Sequence, residues 1–323
     1  MKQVIFYKTG YPQDVLKVEE AEVPVPKSGE VLIRITARNI NPSDIMFVRG
    51  MYGIAPQLPS SAGFEAVGVV EDAGDQDRIN RGTRVIFSAI GTWKEYICLP
   101  ANQLIPAPEG MPDEVACQAF INPMTAYGML QRSGLQEGDW LLLTAGASAF
   151  SKLVIQMAKA KGIKIACTVR RKEQIAQLTD RGVDLVVNTE TEKIPNALMD
   201  ATNGDGVSVV FDAVGGSLGA KALASLKPKG KMMVYGLLSL ENIPLNSGLM
   251  IFKDLSIEGF WLTSYLEGLD KKSRQEAFHT VFGTLTSQDL KVDVADTFPL
   301  DQVKEAIAAY EKPGRTGKII LVS

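Results

Sequence analysis

The sequence has one histidine, His279, and only three cysteines, Cys98, Cys117 and Cys167, among its 323 residues. The cysteines lie far apart in apolar surroundings and form no Cys-x-x-Cys pair, so buried free thiols are their expected state. A zinc site needs three or four cysteine, histidine or carboxylate ligands at suitable spacing. With so few candidate ligands the sequence argues against zinc chemistry, and its single histidine argues against a Ser-His-Asp triad.

The sequence also lacks a strong charge of one sign and a long apolar run. Its formal net charge of -3 provides no basic field that would attract nucleic acid. No stretch of about eighteen apolar residues occurs, so we expect no membrane span. The start, MKQVIFYKTG, enters strand-like sequence without a cleavable hydrophobic segment or an Arg/Ser-rich transit segment, which predicts a cytoplasmic location.

The length predicts about two domains, and two hydropathy patterns follow one another along the chain. Up to about residue 115, short segments such as VLKVEEAEVPVP and EVLIRITARNI are divided by Pro and Gly, which predicts a mainly β, barrel-like domain. From Trp140 onwards, strands such as WLLLT and KIACTV alternate with helices, which predicts an α/β domain with a doubly wound parallel sheet. LSIEGFWLT is expected to add a strand to that sheet, and the tail is expected to return to the first domain.

The turn after WLLL has the composition of a cofactor loop without its usual glycine pattern. It reads TAGASAFS, residues 144–151, and stands between a strand and a helix, where a dinucleotide pyrophosphate would lie against the helix N-terminus. Its small residues permit a close backbone approach, and Ser148 and Ser151 are candidate hydrogen-bond donors to a phosphate. The pattern is not G-x-G-x-x-G, so a tightly packed turn without a ligand remains the alternative.

The end of the second strand favours one nicotinamide cofactor over the other. NAD-binding units place an acidic residue there for the ribose 2′-hydroxyl, whereas this chain has Arg170, Arg171 and Lys172. Three cations suit a 2′-phosphate, and a guanidinium group binds phosphate in bidentate geometry. An ordinary charged helix start is the alternative, but cations oppose the helix dipole at that end. The sequence therefore predicts NADPH rather than NADH.

Over essentially its whole length the sequence resembles the medium-chain dehydrogenase/reductase superfamily. The resemblance implies a GroES-like, mainly β catalytic domain from residues 1–115 and 288–323, and a Rossmann NADP-binding domain from residues 116–287. In the zinc-dependent branch the catalytic ligands would fall at Asn41, Phe64 and Asn122, none of which is a good zinc ligand. The resemblance is therefore to the zinc-independent members.

Within those members the sequence is most similar to enoyl thioester reductases of mitochondrial-type fatty acid synthesis, through NPSDIMFVRGMYGIAPQLP, GTWKEY, NPMTAYGML and LMIFKDLSIEGFWL. The similarity implies that Tyr52, at a glycine-flanked loop tip, is the catalytic acid; a phenol of ordinary pKa, about 10, is protonated at neutral pH. An exposed loop aromatic is the alternative interpretation of Tyr52. The implied cofactor-binding residues are Asn122 at the nicotinamide, Ala147, Ser148, Ala149 and Phe150 at the pyrophosphate, Arg170, Arg171 and Lys172 at the 2′-phosphate, and Tyr235, Gly236, Leu237, Leu238, Phe260, Trp261, Leu262 and Lys318 along the groove.

Three functions are compatible with these residues. The first is metal-free, NADPH-dependent reduction of the C=C bond of 2-enoyl thioesters carried by CoA or acyl carrier protein, with Tyr52 as proton donor. The second is an NADPH:quinone oxidoreductase, which needs the same cofactor but no tyrosine acid. The third is a non-catalytic NADPH-binding protein, against which the acidic charge balance and the lack of a basic stripe argue. A homodimer is the family expectation.

Overall fold

The computed structural model describes residues 1–76, 79–287 and 290–323. The described chain divides into two compact units, residues 1–121 with 292–323, and residues 122–291. The sequence-based domain boundary at residue 288 lies outside the described residues. No helix in the described ranges combines the length and the apolar character that crossing a bilayer requires.

The strands of the described residues are, in chain order, β1 Lys2–Phe6, β2 Lys17–Glu20, β3 Glu30–Asn39, β4 Ser60–Ser61, β5 Glu65–Asp72, β6 Arg84–Ser88, β7 Tyr96–Pro100, β8 Ile105–Pro106, β9 Trp140–Leu143, β10 Lys164–Val169, β11 Leu185–Asn188, β12 Val207–Asp212, β13 Leu226–Val234, β14 Ser256–Gly259, β15 Val294–Pro299 and β16 Lys318–Val322. The α-helices are α1 Pro12–Val15, α2 Pro42–Val48, α3 Asp113–Ala116, α4 Ile121–Ser133, α5 Ala149–Lys159, α6 Glu173–Thr179, α7 Ile194–Ala201, α8 Gly216–Ala224, α9 Ser247–Phe252, α10 Leu262–Glu267, α11 Lys271–Thr286 and α12 Val303–Glu311. Two 3₁₀ turns span Ala101–Gln103 and Leu300–Gln302.

The first unit is mainly β. One sheet has the order β15-β16-β3-β5-β6-β8 with β7 also paired to β3, and a smaller sheet has the order β2-β1-β4. The side chains of strand β3 alternate between the two faces of the sheet: Val31, Ile33 and Ile35 are fully buried, whereas their neighbours in the strand are only partly buried, as expected for a half-buried strand. The tail strand β16 pairs antiparallel with β3, so the two ends of the chain share this sheet.

The second unit contains the predicted parallel sheet. Its order is β11-β10-β9-β12-β13-β14, and each of these neighbouring pairs is parallel. The central strand β9 is buried at Leu141, Leu142 and Leu143, since helices cover both faces of a doubly wound sheet. The α/β class, with a Rossmann-type parallel sheet and a mainly β GroES-like unit, is therefore confirmed.

Two predicted strands are shorter than expected, for local reasons. VLKVEEAEVPVP forms a strand only over Lys17–Glu20, because Pro24 and Pro26 have no amide hydrogen to give to a ladder. LSIEGFWLT forms β14 over Ser256–Gly259, after which Trp261 is the N-cap of α10. Of the cysteines, Cys117 and Cys167 are buried as expected, but Cys98 is only partly buried on β7.

Candidate active site

Tyr52 lies on a short loop that follows helix α2. The loop begins at Gly50, whose positive φ of 73° is a conformation that glycine adopts without strain. The Gly50 amide donates to the Phe47 carbonyl at 3.0 Å and the Met51 amide donates to the Met46 carbonyl at 2.8 Å, so the turn is hydrogen-bonded to the helix end. Tyr52 is partly buried and packs on the core of the first unit. Tyr52 is therefore not simply an exposed aromatic residue on a loop, which was the alternative interpretation.

A series of aromatic rings runs from the core to Tyr52. The ring centroids of Phe6 and Phe47 are 5.9 Å apart, those of Phe47 and Phe64 are 5.3 Å apart, and those of Phe64 and Tyr52 are 5.0 Å apart. Edge-to-face and tilted contacts at such separations are favourable beyond the apolar area they bury. Phe64, at one of the positions where the zinc-dependent branch would have a ligand, therefore presents a hydrocarbon ring against Tyr52.

A buried polar cluster, here called the Glu65 cluster, lies directly beside these rings. Its members are Asn39, Asn41, Asp44, Glu65 and Lys318, each less than 5% exposed. Glu65 Oε1 accepts hydrogen bonds from the side-chain amides of Asn39 and Asn41, both at 2.8 Å, and its Oε2 accepts from the Ile121 amide at 2.9 Å. The Lys318 ammonium donates to Asn41 Oδ1, and Asp44 Oδ2 accepts from the Asn41 amide at 2.7 Å. The cluster thus ties the ends of β3, α2, β5 and β16 together.

Burial controls the protonation of two members of this cluster. Desolvation, helped by the charge of Glu65, raises the pKa of Asp44 from 3.8 to about 8, while the Asn41 amide and Lys318 act in the opposite direction. Desolvation lowers the pKa of Lys318 from 10.5 to about 8, against the carboxylates of Glu65 and Asp44. Within the described residues the second oxygen of Asp44, Oδ1, is buried and has no hydrogen-bond partner. Both groups therefore change charge close to neutral pH.

No group of three or more histidine, cysteine or acidic side chains that could hold a metal ion occurs within residues 1–76, 79–287 and 290–323. At the positions where the zinc-dependent branch has ligands, Asn41 uses its side chain within the Glu65 cluster, and Phe64 offers no donor atom. Asn122 is half-buried at the start of the second unit. What these positions can supply is hydrogen bonding and aromatic packing.

In the second unit, the turn between β9 and α5 is built for close approach. Ala145 has a positive φ of 51°, and the Gly146 amide donates to the Thr168 carbonyl at 2.9 Å. A Cβ atom at Gly146 would lie 2.5 Å from Cys167 Cβ, so only glycine fits beside β10. Ala147, Ser148 and Ala149 follow, half-buried, at the amino end of the eleven-residue helix α5. The turn is therefore a site where backbone amides and the helix dipole favour an anion.

The two serines of this turn have structural partners within the turn, and the expectation that either donates to a phosphate stays a prediction. Ser148 is the N-cap of α5, and its Oγ accepts from the Ser151 amide at 3.1 Å. Ser151 is fully buried, and its hydroxyl donates to the Ala145 carbonyl at 3.1 Å. Ser151 is therefore part of the support of the turn, whereas Ser148 remains half-exposed at the helix end.

The predicted cations lie next to this turn. Arg170, Arg171 and Lys172 follow directly after β10, whose residues Cys167 and Thr168 contact Gly146. Arg170 and Lys172 are exposed, and none of the three cations makes an ion pair with any other described residue. The structure thus brings the pyrophosphate-type turn and unpaired cations together at one end of β10, which fits a dinucleotide with a 2′-phosphate.

The remaining predicted groove residues differ in what they offer. Phe150 is 7% exposed, and the centroid of its ring lies 4.3 Å from that of Tyr235. Desolvation raises the pKa of the Tyr235 phenol, and a hydrogen bond with Ser151 only partly offsets this rise. After Tyr235 and Gly236, Leu237 and Leu238 are about half exposed. Phe260 is buried, Trp261 is 39% exposed and Leu262 is intermediate. Lys318, by contrast, lies in the first unit within the Glu65 cluster.

Some residues that organise these sites are missed by sequence reasoning. Asp212, fully buried at the end of β12, accepts from the Thr144 hydroxyl at 2.7 Å and from the amides of Val214 and Gly215 at 3.1 and 3.0 Å. It fixes the carboxyl ends of β9 and β12 side by side. A carboxylate at the end of the apolar run VVF, in VSVVFD, is the signal that would have found it.

A Rossmann-type parallel sheet and a mainly β GroES-like unit in one chain define the class of alcohol-dehydrogenase-like oxidoreductases. Residues 27–109 match the family model described as alcohol dehydrogenase GroES-like domain, and residues 151–282 match the one described as zinc-binding dehydrogenase. The chain is also 30% identical over 329 residues to the mitochondrial enoyl-[acyl-carrier-protein] reductase of Mus musculus, an alignment covering 99% of this chain and 88% of that protein. The chain therefore belongs to the medium-chain dehydrogenase/reductase family, as its motifs predict.

Solved structures with the same fold carry a different activity in their names. The Escherichia coli quinone oxidoreductase complexed with NADPH has a TM-score of 0.91 and 27% identity, with full coverage of both chains. The quinone oxidoreductase of Pseudomonas syringae has a TM-score of 0.90 and 28% identity, covering 100% of this chain and 99% of that one. The likeness supports the family and the fold and leaves two oxidoreductase activities to be distinguished.

Proposed function

We propose that this chain is an NADPH-dependent, metal-free reductase of the C=C bond of 2-enoyl thioesters, with Tyr52 as the proton donor. The observation that carries the proposal is the placement of Tyr52 on a hydrogen-bonded turn, with its ring in tilted contact with that of Phe64 at a centroid distance of 5.0 Å. A packed phenol is a proton donor held in place, which is what an acid for a developing enolate requires. The similarity to enoyl-[acyl-carrier-protein] reductases over 99% of the chain supports the same activity.

The second unit supports NADPH as the cofactor. Gly146 and the amino end of α5 would hold the pyrophosphate, and Arg170, Arg171 and Lys172 would hold the 2′-phosphate. When bound, NADPH supplies the hydride that the β-carbon of the enoyl group accepts. Asn122, Tyr235, Phe260, Trp261 and the other groove residues named from the family resemblance stay predictions.

For the reaction, this chain must hold the thioester, exclude water and provide a proton. Reduction of the conjugated bond places negative charge on the thioester oxygen and on the α-carbon. A donor already positioned where that charge develops lowers the barrier without a metal ion, because it needs no reorganisation during the reaction. The Tyr52 hydroxyl has the proton for this step, and the rings beneath it keep the loop packed.

The second candidate is an NADPH:quinone oxidoreductase. The names of the Escherichia coli and Pseudomonas syringae structures favour it. A quinone needs no phenol at the Tyr52 position to accept a hydride, so the two activities predict different effects of removing one hydroxyl group.

The test is NADPH oxidation at 340 nm with crotonyl-CoA, trans-2-hexenoyl-CoA and a small quinone, measured for the wild type and for Tyr52→Phe. We expect hexenoyl-CoA turnover to exceed quinone turnover and to fall about 10²–10⁴-fold in the variant, the usual contribution of a positioned acid. Tyr7→Phe is the matched control, because it also removes one phenol hydroxyl, from an exposed tyrosine bonded to Glu19. Quinone turnover alone, equal in wild type and Tyr52→Phe, would establish the second candidate. No turnover of any substrate would favour a non-catalytic NADPH-binding protein.

The carrier and the assembly state are further parts of the proposal. Comparing hexenoyl-CoA with the same acyl group on an acyl carrier protein tests the carrier and a role in fatty acid metabolism. A homodimer is favoured by the edge strand β14 and by α9, which exposes Ile251 by 71% and Phe252 by 88%. Sedimentation equilibrium tests it, with Phe252→Asp as the variant expected to dissociate. The cytoplasmic location stays a prediction for cell fractionation to test.

A further inference from the structure

Phe64 lies between a hydrogen-bonded, well-packed region of the first unit and the irregular loop that carries Tyr52. Its carbonyl accepts hydrogen bonds from the Ser88 hydroxyl at 2.8 Å and from the Ala89 amide at 3.1 Å. The side chain is 8% exposed and packs edge-on against Phe47. On its other side the ring meets Tyr52, which lies on an irregular loop.

The residues on both sides of Phe64 in the sequence fix its backbone. Gly63 has a φ of 95°, and a Cβ atom there would lie 2.3 Å from both Thr92 Oγ1 and Trp93 Cδ1, so the chain can follow this path only with glycine. Glu65 accepts three hydrogen bonds, two from members of its cluster and one from the Ile121 amide. A ring attached between two such fixed residues has little freedom to move.

We infer that Phe64 is a positioning residue for Tyr52. The catalytic consequence of this inference rests on the proposed function. The Phe64 ring lies against the phenol ring, at an interplanar angle of 36°, and so limits the direction in which the Tyr52 hydroxyl points. In the zinc-dependent branch this position would supply a metal ligand; in this chain it supports the acid that does not need one. The acid and its support are thus separate residues, and the second acts only through the first.

A double-mutant cycle tests the inference with Phe64→Leu, Tyr52→Phe and the combined variant. We expect Phe64→Leu to lower kcat for hexenoyl-CoA by about tenfold with little change in KM, since a small misplacement of a catalytic group has a large effect on rate. In the Tyr52→Phe background the same substitution should change kcat by less than about twofold, because no hydroxyl remains to be oriented. Equal losses in both backgrounds would overturn the inference.

Phe47→Leu is the matched control. Phe47 is also a buried phenylalanine in contact with Phe64, but its ring is in the next layer of the series away from Tyr52. We expect it to lower the urea midpoint about as much as Phe64→Leu while leaving kcat within about twofold of the wild type. If both variants lowered kcat equally, general loosening of the core would account for the effect and the inference would be wrong.

A spectroscopic measurement separates this inference from the proposed function. With 3-fluorotyrosine at position 52, a phenol held against Phe64 should give ¹⁹F resonances displaced from that of the free amino acid. We expect Phe64→Leu to move them towards the free position and Phe47→Leu to leave them in place. This result supports the positioning role even if no enoyl thioester is turned over, whereas resonances unchanged by Phe64→Leu refute it even in an active reductase.

Discussion

Replacing Asp44 by asparagine should make the protein more stable than the wild type at neutral pH. At acidic pH the difference in stability between the two proteins should be small. Asp44 is fully buried in α2. Asparagine has nearly the same shape, keeps an oxygen for the Asn41 amide, and does not titrate. The substitution therefore removes one buried ionisation and little else.

The magnitude follows from the pKa of Asp44, which is 3.8 in the unfolded chain and about 8 in the folded protein. Between these values the folded protein holds a proton that the unfolded chain has lost. The free energy of unfolding of the wild type therefore falls as pH rises, by at most about 1.4 kcal/mol per pH unit from this group. Between pH 5 and pH 7.5 the upper limit of the loss is about 3 kcal/mol. The contribution of the protonated carboxyl is fully present below pH 3.8 and is lost as pH passes through 8.

Urea unfolding of the wild type and of Asp44→Asn at several pH values between 5 and 7.5 measures this loss. All other titrating groups are common to the two proteins, so the difference between their free energies of unfolding isolates Asp44. Lys318 has a pKa lowered to about 8, so its titration contributes mainly above this window. We expect the two proteins to differ by less than about 1 kcal/mol at pH 5, with the variant the more stable by pH 7.5. Parallel curves would show that Asp44 is ionised throughout and would refute the reasoning.

Three further predictions concern single sites. Arg170→Ala combined with Arg171→Ala should narrow the preference for NADPH over NADH, measured as the ratio of kcat/KM values; an unchanged ratio would place the phosphate clamp elsewhere. Gly146→Ala should lower the free energy of unfolding by about 1–3 kcal/mol and weaken NADPH binding in titration calorimetry, because its Cβ would meet Cys167 at 2.5 Å. Lys318→Met should destabilise by about 3–5 kcal/mol in urea unfolding at neutral pH, since it leaves the buried Glu65 carboxylate without its cation, and a loss below about 1 kcal/mol would contradict that role.

The α/β fold was predictable because its signals are local and repeated. WLLLT, KIACTV and DLVVN each contain a strand that is followed by a helix, which predicts a parallel sheet with crossover connections. The strand ends were less predictable, because they depend on proline positions and on the turns that follow. Trp261 shows this: its apolar context favours a strand, yet it caps α10, since the chain leaves the sheet at Gly259.

Residues of the candidate site could be proposed from the sequence only where the chemically informative side chains are close together in the chain. The loop at 144–151, the cations at 170–172 and the tyrosine tip each appear as one short string. The Glu65 cluster does not, because Asn39, Asp44 and Lys318 meet only when β3, α2 and β16 come together. No periodicity indicates which polar side chains become fully buried, and in this cluster the hydrogen bonds that make such burial tolerable join residues up to 277 positions apart.

The Glu65 cluster also explains how an irregular loop can carry a positioned acid. The segment from Asn41 to Glu65 begins and ends in this cluster, and the hydrogen bond between Asn41 Nδ2 and Glu65 Oε1, at 2.8 Å, joins its two ends. Closing a loop at its base removes much of the conformational freedom of the residues within it. Tyr52 lies inside this closed segment, and Phe64 lies next to its end. The polar cluster therefore restrains the path of the loop while the Phe64 ring restrains the phenol, so one continuous stretch of chain contains the proposed acid, its proposed support and part of the cluster that anchors both.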